Sequence, residues 1–315
     1  MKSGFLAILG RPNVGKSTIM NALIGQKIAI VSPRAQTTRK KIQTVYTDDR
    51  GQIIFLDTPG ITKAETKLGE YMDDEIEETV KTADAAMWII EPSTFIGAGE
   101  RKVLSLLAKS HKPAMIVINK EDLAEENKIA RTKETYSQAY QQAVLELGKA
   151  KDIEAAKDVK ILACSGKAGL HMKDLMQAIF DLLPEGPLYY DPDTLTDETE
   201  REIASEYIRE KCLLFLDKEI PHGIAVEIMK MKERTTANGE PIVDIEASIL
   251  CERESHKGIV IGKKGAMLKK IGSNARHDIE EMLDCKVNLK LWVKVRPGWR
   301  DNDMNLKSLG YNKKK

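Results

Sequence analysis

The sequence has few cysteines and no long apolar run. Its four cysteines, Cys164, Cys212, Cys251 and Cys285, lie dozens of residues apart, and none forms a CxxC pair. This spacing excludes a zinc ribbon or a disulfide scaffold and is typical of a reducing compartment. No run approaches the roughly 18 apolar residues of a membrane span. The apolar stretch at residues 5–9 is too short for a secretory signal. We therefore expect a soluble, intracellular protein.

Low-complexity sequence is also missing. Glycine and proline number 21 and 11 among 315 residues, close to average usage, which excludes collagen-like and low-complexity classes. No repeat recurs at a fixed period. Hydrophobic residues make up 42% of the chain and charged residues 31%, which is enough apolar residue for a core and too much for intrinsic disorder. The length predicts about two domains.

The net charge of +1 hides an uneven distribution. Residues 251–315 hold 16 Lys/Arg against 8 Asp/Glu and so carry +8, whereas the first 250 residues carry −7. A basic C-terminal quarter indicates either a surface that faces a polyanion or simply a solvated, lysine-rich end.

The first 183 residues alternate between strand and helix patterns, which predicts a doubly wound, mostly parallel α/β sheet. Short apolar runs predict strands at Phe5–Leu9, Ile53–Leu56, Ala86–Ile90, Ala114–Ile118 and Val159–Ala163. Helical patterns lie between them, at Lys16–Leu23, Glu70–Thr82, Glu100–Ala108 and Leu170–Leu183. The polar segment 124–158 predicts one or two surface helices inserted before the last strand.

A cluster of helix breakers at residues 184–187 predicts a domain boundary. The pattern beyond it is α-β-β-α-α-β, with a period-2 strand at 243–249 and another at 287–295. We therefore expect a first domain at 1–183, a linker at 184–196, a small α+β domain at 197–300 and a tail at 301–315.

Residues 10–17 match the phosphate-loop pattern G-x-x-x-x-G-K-[ST] and lie between a predicted strand and a predicted helix. Backbone amides and the positive end of the helix favour a phosphate there. Lys16 would bridge the β- and γ-phosphates, and the Ser17 hydroxyl would ligate magnesium.

Three further motifs follow the later strands. Asp57-Thr58-Pro59-Gly60 would place a carboxylate near magnesium and the Gly60 amide near the γ-phosphate. Asn119-Lys120-Glu121-Asp122 would let Asp122 accept from N1–H and the 2-amino group of guanine, which adenine cannot match. Ser165-Gly166-Lys167 would bring an amide to guanine O6. Each motif alone is equally well explained as a turn or loop, and their common order is what carries the signal.

These motifs, with Gln36-Thr37-Thr38-Arg39, resemble the five nucleotide motifs of translation-factor-type GTPases. Downstream, residues 260–265 look like the GxxG turn of a KH domain. Together with 291–295 and the closing 308–311, they resemble the Era family of bacterial GTPases over nearly the whole chain. Two departures stand out: Gly166 replaces the alanine of the usual Ser-Ala-Lys, and segment 124–158 is longer than usual.

The resemblance implies a GTPase domain followed by a KH type II domain, with Mg²⁺ as cofactor. The nucleotide-binding residues that it implies are Gly10, Arg11, Pro12, Asn13, Val14, Gly15, Lys16, Ser17, Thr18, Asp57, Thr58, Pro59, Gly60, Ile61, Asn119, Lys120, Asp122, Ser165, Gly166 and Lys167. The resemblance also implies that Lys16, Thr38 and Gly60 act in catalysis and that Ser17, Thr38 and Asp57 hold the metal.

The residue types of the GxxG turn also indicate a ligand on physical grounds. A Gly-Lys-Lys-Gly turn between two helices lets a sugar-phosphate backbone approach closely and aims two ammonium groups at it. A lone GxxG is more often an ordinary helix–helix turn, but the α-β-β-α-α-β context and the +8 charge favour RNA. The predicted RNA-binding residues are Gly262, Lys263, Lys264, Gly265, Lys269, Lys270 and Arg276. The face of Trp292 with Lys290, Lys294 and Arg296 is either a further contact or a cover for the sheet edge.

By resemblance, the RNA is the 3′ end of the small-subunit ribosomal RNA, and the role is assembly of that subunit in the cytoplasm. The resemblance also implies weak peripheral attachment to the inner face of the cell membrane, and we expect a monomer.

Two alternatives stay open. In the first, the chain is a GTPase whose second domain binds protein or membrane instead of RNA; Der-like GTPases have such a domain, but they carry two GTPase domains and lack an intact GxxG. In the second, the chain is a phosphate-loop kinase or ATPase.

The residue after Asp57-Thr58-Pro59-Gly60 is Ile61, where many GTPases have a glutamine that orients the attacking water. Isoleucine can neither donate nor accept, so we expect slow intrinsic turnover. In the loop, Asn13 either holds a K⁺ ion near the β/γ bridge, as in GTPases with a similar Pro-Asn-x-Gly-Lys loop, or merely caps the loop.

Overall fold

The computed structural model describes residues 1–147, 149, 154, 156, 159–236 and 238–312. The chain divides into two compact units. The first comprises Met1–Ala29, Thr38–Glu65 and Met72–Asp197, and the second comprises Ile30–Thr37, Thr66–Tyr71 and Glu198–Lys315. The finer division, with a linker at 184–196 and a tail from 301, stays a prediction.

The first unit contains a six-stranded sheet in the order β2-β3-β1-β4-β5-β6. All neighbouring strands run parallel except β2, which is antiparallel to β3. The strands are β1 (Lys2–Leu9), β2 (Ile42–Asp48), β3 (Gly51–Asp57), β4 (Ala85–Ile90), β5 (Ala114–Ile118) and β6 (Lys160–Ala163). The predicted doubly wound sheet is confirmed.

The helices along this part of the chain include α1 (Lys16–Ile24), α2 (Lys67–Thr82), α3 (Ala98–Ser110), α4 (Glu126–Leu147) and α5 (Met172–Leu182). The apolar sides of α1 and α5 form one core with one face of the sheet, and residues of α2, α3 and α4 form a second core with the other face. Both faces are therefore covered, as a parallel sheet requires.

The polar segment 124–158 forms helix α4, but α4 is more than a surface helix. Its residues Thr132, Tyr136, Tyr140 and Val144, spaced four apart, are buried, and the Tyr136 ring lies 5.1 Å from Trp88 of β4. The end of the predicted insertion falls largely outside the described residues.

Strand β2 was not predicted from the sequence. Its inward positions include polar residues, and Gln43 and Thr44 are buried. Thr44 also pairs with Thr196, whose hydroxyl donates to the Gln43 carbonyl at 2.7 Å. β2 is held mainly by its antiparallel pairing with β3, and because its buried positions mix polar with apolar residues, no apolar alternation marks it in the sequence.

The second unit packs helices on one face of a three-stranded sheet in the order β7-β8-β9. The elements are α6 (Glu200–Phe215), β7 (Ala225–Thr235), β8 (Pro241–Cys251), α7 (Glu254–Ile261), α8 (Ala266–Leu283), β9 (Lys286–Val295) and a last helix α9 (Asp303–Ser308). β7 and β8 are antiparallel, and β8 and β9 are parallel. The predicted α-β-β-α-α-β order is confirmed.

Along β8 and β9, every second side chain points into the core. Val243, Ile245, Ala247 and Ile249 pack there with Ile208 and Leu213 of α6 and Ile271 and Ala275 of α8. The Thr199 hydroxyl caps α6 by accepting from the amide of Glu202, whose carboxylate accepts the Thr199 amide in return. In the part of the chain that the structure describes, no helix is both long and apolar enough to cross a membrane.

Candidate nucleotide site and RNA-binding groove

The loop between β1 and α1 has the geometry of a phosphate cradle. Gly10 and Gly15 adopt φ values of 152° and 96°, which L side chains rarely adopt. A Cβ at Gly10 would lie 2.4 Å from the Ile89 carbonyl oxygen, and one at Gly15 would lie 2.2 Å from Asn119 Nδ2. Only glycine therefore lets the loop bend onto its neighbours and present its amides at the start of α1.

Lys16, the first residue of α1, is buried against this loop. Its ammonium donates to the carbonyls of Gly10 at 3.3 Å and Arg11 at 3.2 Å. Burial lowers the pKa of Lys16 to about 8, although the nearby Asp57 carboxylate acts in the opposite direction. A buried ammonium whose charge is poorly solvated gains strongly from an anion placed beside it.

Three oxygen-bearing side chains converge next to Lys16. Ser17 Oγ donates to Asp57 Oδ2 at 2.5 Å and lies 3.1 Å from Thr38 Oγ1, which is 3.5 Å from the same carboxylate oxygen. Within the described residues, the buried Asp57 Oδ1 has no hydrogen-bond partner. Burial raises the pKa of Asp57, and the charge of Lys16 opposes that shift. Hydroxyl and carboxylate oxygens with an unsatisfied acceptor fit Mg²⁺.

The motif that begins at Asp57 is tied to β1 and the phosphate loop. The Thr58 hydroxyl donates to the Ile8 carbonyl at 2.6 Å, and the Ile61 amide donates to the Gly10 carbonyl at 3.1 Å. A Cβ at Gly60 would lie 2.7 Å from Pro12 N, so the two loops meet at that point. The Ile61 side chain is buried in the apolar core, where it cannot position water.

The two motifs predicted to contact guanine are joined to the phosphate loop through Asn119. Its amide nitrogen donates to the Val14 carbonyl at 2.7 Å, and its amide oxygen accepts the Gly166 N–H at 3.1 Å. Lys120 Nζ donates to the Asn13 carbonyl at 2.8 Å and pairs with Glu91. One asparagine thus links three segments that lie far apart in sequence.

The remaining predicted nucleotide residues lie on the same loops. Asp122 is exposed in a single helical turn, Glu121–Leu123, that follows β5. The Ser165 hydroxyl accepts the Ala168 amide at 3.1 Å and so shapes the loop after β6, in which Lys167 is exposed. Thr18 lies in the first turn of α1, and Pro59 is buried beside Gly60.

The departure at Gly166 has a structural reason. A Cβ at this position would lie 2.9 Å from Ile19 Cγ1 and 3.1 Å from both Cα and N of Ile19. Contacts that short force a neighbour to move, and two of the three atoms belong to helix backbone. The missing side chain therefore allows the loop to lie against α1, while the Gly166 amide keeps its bond to Asn119.

Sequence reasoning missed an ion pair beneath the phosphate loop. Arg11 Nε lies 2.5 Å from Oε1 of Glu100, a buried residue in the first turn of α3. The second carboxylate oxygen of Glu100 accepts the Gly97 amide at 3.1 Å. A Cβ at Gly99 would lie 3.1 Å from Arg11 Cγ, so that glycine makes room for the arginine. A lone glutamate in a helical pattern gives no signal of such a pairing.

The predicted GxxG turn joins α7 to α8. Gly262 has φ 72°, and a Cβ there would lie 2.8 Å from Met267 N, so the turn requires glycine. Lys264 and Gly265 also adopt positive φ values, 51° and 78°. Lys263 and Lys264 are both exposed at the tip, where their charges are available to a polyanion.

A groove of about 350 Å³ begins at this turn and runs between α8 and β9. Its floor is apolar, with Leu268, Leu289 and Leu291, and its rim carries Lys269, Ser273 and Arg276. Gly272 faces Leu291 across the groove, with only 3.2 Å from its Cβ position to Leu291 Cδ1. An apolar floor with cationic rims suits stacked bases and their phosphates.

The structure places one predicted RNA-binding residue elsewhere. Lys270 does not line this groove; its ammonium lies 4.1 Å from the centroid of the Phe215 ring of α6. Lys270 is one residue, or about 100° of helix, away from Lys269. Because Lys269 and Lys270 are adjacent in sequence, the sequence alone does not show which of them points into the groove.

Comparison with known proteins assigns both units to families. A family described as 50S ribosome-binding GTPase matches residues 5–120, and the KH domain family matches residues 219–300. GTPase Era of Clostridium kluyveri is 48% identical over 99% of both chains, and GTPase Era of Thermoanaerobacter sp. is 46% identical over 98% of this chain and 96% of that one. The chain belongs to the Era family of GTPases.

Two solved Era structures have the same fold. One is an Era variant from Aquifex aeolicus bound to GDP·AlF4⁻, which is 34% identical, with a TM-score of 0.88. The other is Era in complex with MgGDPNP and nucleotides 1506–1542 of 16S ribosomal RNA, which is 35% identical, with a TM-score of 0.84. Each match covers 99% of both chains. The predicted family and fold class are confirmed.

Proposed function

We propose that this protein binds and hydrolyses GTP in its first unit and binds the 3′ end of small-subunit ribosomal RNA with its second, during assembly of that subunit. The observation that carries the proposal is the convergence of Ser17, Thr38 and Asp57 beside Lys16. The solved relatives with a guanine nucleotide and with 16S RNA support it. The kinase or ATPase alternative is set aside by membership of the family.

Each part of the site has a task in this proposal. Lys16 neutralises charge on the β- and γ-phosphates, and the Gly60 amide donates to the γ-phosphate. Ser17, Thr38 and Asp57 would hold Mg²⁺, which when bound offsets the charge that develops on the phosphates. Asp122 accepts from N1–H and the 2-amino group of guanine. Asn119 connects the phosphate loop, at Val14, to the loop after β6, at Gly166.

The attacking water must be activated by a group other than the residue after Gly60, because that residue, Ile61, is buried in the core. Turnover of the protein alone is therefore slow in this proposal. That Asn13 holds K⁺ near the β/γ bridge stays a prediction.

RNA binding follows from the geometry of the second unit. The exposed Lys263 and Lys264 meet the sugar-phosphate backbone at the turn, and bases enter the groove between α8 and β9. Lys269 and Arg276 flank those bases, whereas Lys270 contributes through Phe215 to the packing of α6 against α8. The intact turn favours RNA over a protein or membrane ligand.

Titration of a labelled RNA copy of the small-subunit 3′ end, with GTP or GDP bound to the protein, tests the proposal. We expect saturable binding that a scrambled RNA of equal length does not show, together with magnesium-dependent release of phosphate from GTP and none from ATP. Equal binding of both RNAs would contradict the RNA assignment, and hydrolysis of ATP at the same rate would contradict the nucleotide assignment.

Cytoplasmic location belongs to the same proposal, since ribosomal RNA is its ligand. Weak attachment to the inner face of the membrane, and a monomeric state, stay predictions from the resemblance.

A further inference from the structure

The sheet of the second unit has a second face, opposite to the RNA groove. Along β9, Leu289 and Leu291 point to the groove and the core, whereas Lys290, Trp292 and Lys294 alternate with them and point away. The groove and this face are thus separated only by the thickness of β9. β9 is an edge strand, so nothing in the sheet order lies beyond it on that side.

The outward face is strongly basic. The pairing register places seven basic and three acidic residues on it, a net charge of +4. The acidic residues are Glu227, Asp244 and Glu246, and the basic ones are Lys230, Lys232, Arg234, Lys286, Lys290, Lys294 and Arg296. Arg234 pairs with Asp244, and Arg296 lies 3.5 Å from Glu227. Lys290 and Lys294 have no ion pair among the described residues, which leaves both charges available around Trp292.

Trp292 is the exposed aromatic at the centre of this face. Its side chain lies opposite Ser248 in the register, and the Ser248 hydroxyl contacts Met229 Sδ at 3.2 Å. Lys294 Nζ reaches the same sulfur at 3.2 Å. Trp292 is 40% exposed, whereas Trp88 and Trp299, the other two tryptophans, are 1% and 0% exposed. A tryptophan set among lysines on an open sheet is the arrangement on which unpaired bases stack.

We propose that the outward face around Trp292 is a second RNA-binding surface, which takes single-stranded RNA that has passed through the GxxG groove and crossed the edge of β9. Trp292 stacks on a base, and Lys290 and Lys294 contact the flanking phosphates. This inference rests on the proposed function, because it extends the same RNA beyond the groove.

Length supports a second surface. A KH groove holds about four nucleotides, whereas the fragment bound by the solved relative runs from nucleotide 1506 to 1542. RNA that leaves the groove past Leu291 meets the neighbouring residue, Trp292, on the other side of the strand. Membrane lipid is the competing occupant of a basic face with an aromatic, and fluorescence quenching by vesicles distinguishes it from RNA.

Tryptophan fluorescence of the full-length protein tests this inference, since one of the three indoles is accessible. Two RNAs are compared: the groove sequence alone, of about four nucleotides, and the same sequence extended to about eight. We expect the longer RNA to quench the fluorescence and bind more tightly, and the shorter one to bind without quenching. Trp292→Phe should abolish the quenching while retaining the tighter binding of the longer RNA.

Variants separate the two surfaces. Trp292→Ala should weaken binding of the longer RNA roughly tenfold, the size of one lost base–aromatic stack, and leave the shorter RNA unaffected. Lys290→Glu with Lys294→Glu should do the same and lower the salt dependence of the longer RNA only. Phe95→Ala removes a still more exposed aromatic of the first unit and should change neither. Unchanged binding of the shorter RNA shows that each variant is folded.

Two results would overturn the inference while leaving the proposed function intact. One is that Trp292→Ala has the same affinity as wild type for the longer RNA; the other is that it weakens both RNAs equally. Quenching by vesicles of phosphatidylcholine and phosphatidylserine, without quenching by the longer RNA, would assign the face to lipid instead. Failure of the wild type to bind either RNA would contradict the proposed function itself, and the inference with it.

Discussion

The proposed nucleotide site and the GxxG turn present their charged groups in different ways. In the nucleotide site the two charged groups beside the phosphate loop, Lys16 and Asp57, are buried. The loops are tied together there, Lys16 to the loop carbonyls and Asn119 to both Val14 and Gly166. At the turn, Lys263 and Lys264 are exposed and only the backbone is fixed. A buried site gains selectivity because a wrong ligand leaves a buried group unsatisfied. An exposed one gains affinity that depends on salt.

The largest expected effect concerns the base. Asp122→Asn removes the carboxylate that, in the proposed function, accepts from N1–H and the 2-amino group of guanine, and the new amide matches the C2 carbonyl of xanthine. We expect the preference for GTP over XTP to reverse, with a loss of guanine affinity of about 10⁴-fold. Competition between labelled GDP and unlabelled XDP measures it. A variant that still binds guanine and rejects xanthine would show that another residue reads the base.

At the exposed turn the effect should be smaller and graded. Lys263→Asp with Lys264→Asp should weaken RNA binding at least tenfold and reduce the slope of log affinity against log salt by about 1.4, since two phosphate contacts to a single strand are lost. Fluorescence anisotropy at several salt concentrations gives the slope.

The same double variant should hydrolyse GTP at the wild-type rate. Lys128→Asp with Lys133→Asp, on the exposed side of α4, changes the net charge equally and serves as the control. RNA binding equal to wild type in the turn variant, or an equal loss in the control, would refute the assignment of the turn.

Burial of Lys16 makes nucleotide binding depend on pH. Because the pKa of Lys16 is lowered to about 8 and phosphate binds the charged form, affinity should fall as the pH rises through that value. We expect a roughly fourfold loss of GDP affinity between about pH 7 and about pH 8.5, with uptake of a proton on binding. Calorimetry in buffers of different ionisation heat measures both.

Lys16→Met is the control for this pH effect. It should bind GDP weakly and show no pH dependence over the same range, since no titrating ammonium remains. If the variant and the wild type lost affinity in parallel, a different group would be responsible.

An effect about as small as that of pH is expected where the chain departs from its family. Gly166→Ala restores the common alanine, but its Cβ would lie 2.9 Å from Ile19 Cγ1. We expect GDP affinity to fall about fivefold, since overpacking of this kind costs about 1 kcal/mol. Gly258→Ala, in a helix with open space around it, should have no effect on GDP. Equal or higher affinity for Gly166→Ala would show that the loop relaxes without loss.

The local features of this protein could be predicted from sequence, and the pairings between distant segments could not. The phosphate loop, the strand-end motifs and the GxxG turn depend on residue types at short spacing. Strand β2 contacts residue 196 in addition to its pairing with β3, and the Arg11–Glu100 pair depends on the approach of α3 to the loop. The direction of Lys270 depends on the position of Phe215, which belongs to another helix.

We propose that Ser17, Thr38 and Asp57 form the magnesium site of this GTPase. The dependence of GTP hydrolysis on magnesium concentration should therefore differ between the wild type and Ser17→Ala. We expect Ser17→Ala to need at least tenfold more Mg²⁺ for half-maximal rate, since one direct ligand is lost, while its affinity for GDP without Mg²⁺ is unchanged. Identical magnesium dependence in the two proteins would contradict it.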